Sequence, residues 1–150
     1  MISEKLAKKC DGDIFENSAP VLANCVAISD LLGNRHSRLW SALIDTGADA
    51  TVIPIEICAD LKLSPRDKRR PRGFDPEAPR GFVPRYYVTL RIEQIGEVSL
   101  LAYAVKRSYI LLGRDFLSRL VLLVDSPADH LQLGRRRFLS KWFASMFSLR

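Results

Sequence analysis

The chain has 150 residues, 47% hydrophobic and 27% charged, with a formal net charge of +6. That length fits one domain with a sizeable core, and the composition is that of a soluble globular protein. The basic balance leaves an acidic partner open, nucleic acid or an anionic membrane surface, without establishing one.

Nowhere does the chain offer the roughly 18 consecutive apolar residues a membrane span needs. The N-terminus has lysines but no uninterrupted apolar core after them, so a cytoplasmic location is expected. Cys10, Cys25 and Cys58 are odd in number and lack CxxC spacing, and only His36 and His130 could join them as ligands. Neither a zinc site nor a disulfide framework is expected; a reducing compartment suits these thiols, and no cofactor or metal is called for.

Residues 1–19 are polar and of mixed charge without periodicity, and read as an N-terminal arm. An ordered domain is expected over 20–134. "VLANCVAIS" (Val21 to Ser29) and "RLWSALID" (Arg38 to Asp45) are apolar runs separated by Gly-Asn turn chemistry, which predicts a strand, a turn and a second strand delivering Asp45. "ATVIP" (Ala50 to Pro54) predicts another short strand, and the apolar spacing of "IEICADLKL" predicts one or two helical turns.

From Leu63 to Arg85 the composition changes, with prolines 65, 71, 76, 79 and 84 set among arginines. Such a stretch is excluded from helix and central strand and predicts a long exposed loop or projecting hairpin. "YYVTLRIEQIGEVSLLAYAV" then alternates as a hairpin. Tyr87, Thr89, Arg91 and Glu93 point one way, Val88, Leu90 and Ile92 the other, and the turn is at Gln94-Ile95-Gly96. A buried strand through Leu112, a short helical turn "RDFLSR", an apolar strand "LVLLV" and a last strand after "DSPADH" complete a mainly β domain. Residues 135–150 place Phe138, Leu139, Trp142, Phe143, Met146 and Phe147 at helical spacing among basic residues, predicting a basic amphipathic C-terminal helix. It could lie on a membrane surface, but folding back on its own domain or a second copy is the reading preferred.

The chemistry concentrates in Asp45-Thr46-Gly47-Ala48. A carboxylate at a strand end emerges where a loop begins, Gly47 permits close backbone approach and unusual dihedrals, and the Thr46 hydroxyl can bond across a seam. One carboxylate alone is a poor peptidase. Two facing each other cannot both ionise cheaply, so the pair holds one proton and supplies both a base and an acid. Only one such loop is present, so a second must come from a second chain, as in a twofold homodimer.

"LIDTGADATVIP" and, some 65 residues later, "YILLGRDFLSRL" resemble the two motifs of the retropepsin-like aspartic proteases, the single-domain dimeric relatives of pepsin. The resemblance runs from about Val21 to Leu133. It implies a closed retropepsin-like (acid protease) β-barrel with one or two short helices, homodimeric, acting as an aspartic endopeptidase on a protein or peptide substrate. In that family the segment matched by Leu111-Leu112-Gly113 packs beneath the catalytic loop, and Arg114 corresponds to an arginine that pairs with the second acid, here Asp49. The resemblance makes Asp45 the catalytic acid, with Thr46, Gly47 and Ala48 in support. It also places a substrate-covering flap between about Arg72 and Val88, with Phe74, Gly81 and Phe82 as candidates. Here the usual glycine-rich tip is replaced by "GFDPEAPRGF", in which Pro76 and Pro79 add stiffness and Asp75 and Glu77 add charge. The alternative is therefore a catalytically inactive retropepsin-like module that binds peptide or dimerises.

The remaining polar residues read as structural. Asp115 begins a short helix, where an acid complements the dipole. Asp125 opens a turn, and His36 and His130 lie in polar turns. The basic run Arg66 to Arg72 reads as solvated charge. It lacks the interleaved aromatic residues of a single-strand platform, so nucleic acid is not the expected partner.

Overall fold

A computed structural model of the protein describes residues 12–13, 21–71, 81–93, 95–125 and 130–134. In chain order the elements are β1 (Gly12–Asp13), β2 (Val21–Ser29), β3 (Trp40–Ile44), β4 (Val52–Pro54), α1 (Ile55–Asp60), β5 (Asp67–Arg69), β6 (Val83–Ile92), β7 (Gly96–Val105), β8 (Ile110–Leu112), α2 (Arg114–Leu117), β9 (Val121–Asp125) and β10 (His130–Gly134). The expected mainly β fold with short helices is the fold found.

Eight strands form one sheet in the order β1-β2-β3-β8-β4-β7-β6-β5, and an additional pairing of β2 with β6 closes the six strands between them into a barrel. Closure joins Val26 to Ile92 and Ser29 to Thr89. It removes the open edges that β2 and β6 would otherwise present. β9 and β10 form a separate antiparallel pair.

The hairpin of β6 and β7 is long because its inward set is unbroken: Val88, Leu90 and Ile92 are fully buried and meet Ala102, Ala104, Ile44 and Leu112 in one core. Thr89 lies on the other side of the strand. It is buried, and its hydroxyl shares a 2.8 Å hydrogen bond with Ser99. At this point β6 is paired on both sides, to Ser29 of β2 and Ser99 of β7, so Thr89 sits mid-sheet rather than at an open margin.

Helix α1 starts directly after Pro54, whose φ of −58° already suits the entry to a helix. It ends where Lys62 turns to a φ of 50° and the Arg35 guanidinium donates to the Leu61 carbonyl at 2.5 Å. β2 carries a register shift between Leu22 and Val26, where Asn24 adopts a φ of 47° and its N–H donates to Ser41 Oγ. This is a bulge that lets one strand bend across two partners.

The proline- and arginine-rich stretch is a projecting hairpin at its base, with Asp67 opposite Arg85 and Arg69 opposite Val83. Pro84 tolerates strand geometry because the β6–β7 ladder begins only at Arg85, so its missing N–H costs no rung there. Residues 72–80, including the flap candidate Phe74, lie outside the described residues, as do 1–11, 14–20 and the C-terminal segment 135–150. Two residues of the expected arm are ordinary sheet: Gly12 and Asp13 pair with Leu22 and Val21. His130 was expected in a polar turn and instead begins β10, opposite Asp125.

Candidate active site

Asp45 is placed by the strand before it. Ile44 is buried in the core and registers beside Leu112 of the parallel strand β8. The Asp45 N–H then donates to the Leu112 carbonyl at 3.1 Å, the last rung before the chain turns away. A buried isoleucine and a ladder bond thus fix the backbone from which the carboxylate projects.

The loop folds back on that carboxylate. Asp45 Oδ1 accepts the N–H of Gly47 at 2.9 Å and of Ala48 at 3.2 Å, while the Asp45 carbonyl also accepts the Ala48 N–H at 3.2 Å. One oxygen is fixed by two backbone donors, and Oδ2 has no hydrogen-bond partner among the described residues. The residue is half-buried, with Thr46 and Gly47 exposed beside it.

Gly47 is needed for space rather than for unusual dihedrals. The left-handed glycines among the described residues are Gly33 and Gly96, while a Cβ on Gly47 would lie 3.2 Å from Asp45 Oδ1. Any side chain there crowds the carboxylate oxygen that the loop is holding.

Beneath the loop, Gly113 approaches so closely that a Cβ would sit 2.5 Å from the Ala50 carbonyl carbon and 2.6 Å from its oxygen. No side chain fits against fixed backbone at that distance. The contact is reinforced by Arg114 N–H donating to the Ala48 carbonyl at 2.8 Å and Asp115 N–H to the Asp49 carbonyl at 3.2 Å. The Arg114 guanidinium also meets the Asp49 carboxylate in an exposed ion pair.

A hydroxyl–carboxylate lock completes the support. Thr51 is fully buried; its N–H donates to Asp115 Oδ2 at 3.0 Å, and its Oγ1 donates to Asp115 Oδ1 at 2.7 Å while accepting the Gly113 N–H at 3.2 Å. Asp115 Oδ1 also accepts the Phe116 N–H at 2.8 Å. Asp115 therefore does more than complement a helix dipole: it ties the first turn of α2 to the strand leaving the Asp45 loop. Sequence reasoning missed Thr51 because its partners lie 62 and 64 residues away. The available hint is a hydroxyl inside the apolar run "ATVIP", since a buried hydroxyl needs a partner.

Each acid near the loop is thereby accounted for within the chain. Asp49 meets Arg114 through Oδ1 and Asp115 holds Thr51 through both oxygens, while Asp45 Oδ2 has no hydrogen-bond partner among the described residues. Gly81 and Phe82 are exposed, Phe82 at 75%. His36 is exposed and bridges Ser29. Among the described residues no group of His, Cys, Asp or Glu could hold a metal ion, and no helix is long and apolar enough to cross a membrane.

The closed barrel, the two short helices and the strand-end acid over a glycine make this a retropepsin-like fold. No family model and no curated protein matches the sequence. Among solved structures, the chain is similar to EIAV protease complexed with the inhibitor HBY-793, with 23% identity over 70% of this chain and 92% of that one and a TM-score of 0.44. It is similar to the retroviral protease-like domain of Ddi1 from Leishmania major, with 14% identity over 74% and 87% and a TM-score of 0.46. It is also similar to a retropepsin-like aspartic protease from Rickettsia conorii, with 15% identity over 80% and 95% and a TM-score of 0.45. The site described above stands on its own contacts rather than on these likenesses.

Proposed function

We propose that the protein is an aspartic endopeptidase whose active centre is a pair of Asp45 carboxylates, one from each of two copies of the chain. The observation that carries this reading is the Asp45 carboxylate itself, pinned through Oδ1 by two loop amides, with no partner for Oδ2 among the described residues. Such an acid is oriented but not neutralised, which is what a proton-sharing pair requires.

Bringing a second Asp45 alongside leaves one proton between two acids, because like charges at such short range cannot both ionise. The ionised member accepts a proton from water as that water attacks the peptide carbonyl and the protonated member donates to the carbonyl oxygen, giving a tetrahedral diol; the proton taken from water then passes to the amine nitrogen as the C–N bond breaks, and a diol hydroxyl returns its proton to the other carboxylate. The pair titrates as a unit, so rate should depend on pH with a mildly acidic optimum. A flat rate from about pH 4 to 9 counts against it.

The test compares wild type with Asp45→Asn on a diverse peptide library, cleavage being read by mass spectrometry under conditions where the dimer has been demonstrated. Asparagine keeps an oxygen for the Gly47 and Ala48 amides, so the loop persists while the shared proton is lost. Cleavage abolished by the substitution supports the reading. No cleavage by either protein assigns the chain instead to a peptide-binding or dimerisation module.

A further inference from the structure

Strand β5 and its flanks carry Arg66, Lys68, Arg69 and Arg70, all exposed, and Arg85 faces them from β6. The one acid among them, Asp67, is gripped by Arg85 through Nε to Oδ1 at 2.7 Å and Nη2 to Oδ2 at 2.5 Å, with Arg69 at 3.7 Å. The Arg85 hydrogen bond holds the Asp67 carboxyl below its ordinary range, so it stays an anion committed to Arg85. Arg66, Lys68, Arg69 and Arg85 against this one anion sum to a formal charge of +3 on two paired strand ends.

β5 is also the last strand of its sheet, with no strand on its outer side among the described residues. An edge strand presents backbone N–H and C=O groups that an extended chain can complement. A registered row links this edge to the Asp45 loop: Val52 beside Tyr103, Tyr103 beside Arg85, and Arg85 beside Asp67. At about 4.8 Å per strand the row is about 14 Å long, which an extended peptide covers in about four residues.

We propose that the β5 edge, through Arg66 and Lys68, docks an acidic extended segment of a polypeptide, lying about four or more residues from the part held at Asp45. The spacing rests on the active-centre reading above; the docking itself does not. A polypeptide suits the site better than nucleic acid because residues 66–70 include no aromatic ring for base stacking, and the strand edge offers main-chain pairing that only another backbone matches.

The experiment uses the full chain with Asp45→Asn, so that bound peptide is not consumed, and reads fluorescence anisotropy. The probes are a peptide with a run of glutamates, the same peptide with glutamines, and a single-stranded oligonucleotide. The glutamate peptide should bind more tightly than the glutamine peptide and weaken with salt. Arg66→Glu with Lys68→Glu should weaken it at least about tenfold, the scale of lost electrostatic attraction. Lys106→Glu with Arg119→Glu, the same charge change at exposed positions elsewhere, should weaken it less than about twofold. The milder Arg66→Gln with Lys68→Gln should fall between, which guards against a misfolded reversal. Equal binding of the two peptides, or equal loss in both double reversals, overturns the proposal; so does tighter oligonucleotide binding with the same variant dependence. Variant-sensitive glutamate binding in a protein whose wild type cleaves nothing supports the docking edge while the active-centre reading fails.

Discussion

Replacing Thr51 by valine keeps the shape of a buried side chain and removes only its hydroxyl. That hydroxyl donates to Asp115 Oδ1 and accepts the Gly113 N–H, so its loss breaks one hydrogen bond to a carboxylate and orphans one buried amide. A bond to a charged group contributes about 1.5–3 kcal/mol and an orphaned buried donor costs about 1–3 kcal/mol. The expected destabilisation is therefore about 3–5 kcal/mol, which for a chain of this size lowers Tm by roughly 10 °C. Thr51→Ser retains the hydroxyl, loses one methyl, and should cost only about 1 kcal/mol. Urea unfolding of the three proteins, compared at equal slope m, measures both differences. If valine and serine variants unfold within about 0.5 kcal/mol of each other, the lock is not what holds the loop to α2.

Gly113→Ala forces a Cβ to 2.5 Å from the Ala50 carbonyl carbon. It should cost about 3 kcal/mol or more in urea unfolding, at the upper end of overpacking because backbone must move. Gly47→Ala crowds Asp45 Oδ1 at 3.2 Å and should lower cleavage at least about tenfold with stability nearly unchanged, a misplaced reactive group being costly to rate; equal rates would show that the carboxylate is not fixed by the loop. The Asp67 carboxyl is lowered in the fold from 3.8 by Arg85, so its contribution is present above that pH and is lost as pH falls through the folded value. Acid unfolding of Asp67→Asn should accordingly lack this part of the wild-type slope below about pH 4. Burial pushes the Cys58 thiol from 9.0 to about 12, so ionisation favours the unfolded chain and stability falls as pH rises from 9 to 12. Cys58→Ala should flatten that alkaline decline in denaturation curves.

The parts of this fold visible in the sequence are those written locally. The period-two alternation of Val88, Leu90 and Ile92 fixes a hairpin because each successive residue faces the opposite side, and those three share one buried side. The apolar run before Asp45 likewise marks a strand end. The Thr51–Asp115 lock was not legible, since its members lie 64 residues apart and no local pattern distinguishes them, whereas the packing of Gly113 beneath the loop was implied by the resemblance. The burial of Thr89 was not legible for the same reason: its side of the strand follows from period two, but its burial depends on β2 arriving at β6. A projecting hairpin was one of the two readings of the proline- and arginine-rich stretch, whose residues disfavour a central strand yet are compatible with an edge; the register that sets Asp67 opposite Arg85 was not legible.

The barrel's connectivity also governs when the molecule can exist. β2 meets β6 from Val26 to Ile92, and β3 meets β8 from Ala42 to Ile110. Contacts this distant along the chain must close long loops before they contribute, which slows folding and leaves no early local nucleus for the Asp45 loop. During synthesis, the loop gains its floor at Gly113 and its tie at Asp115 only after those residues have left the ribosome. A nascent chain that stops short of α2 therefore carries Asp45 without the scaffold that orients it.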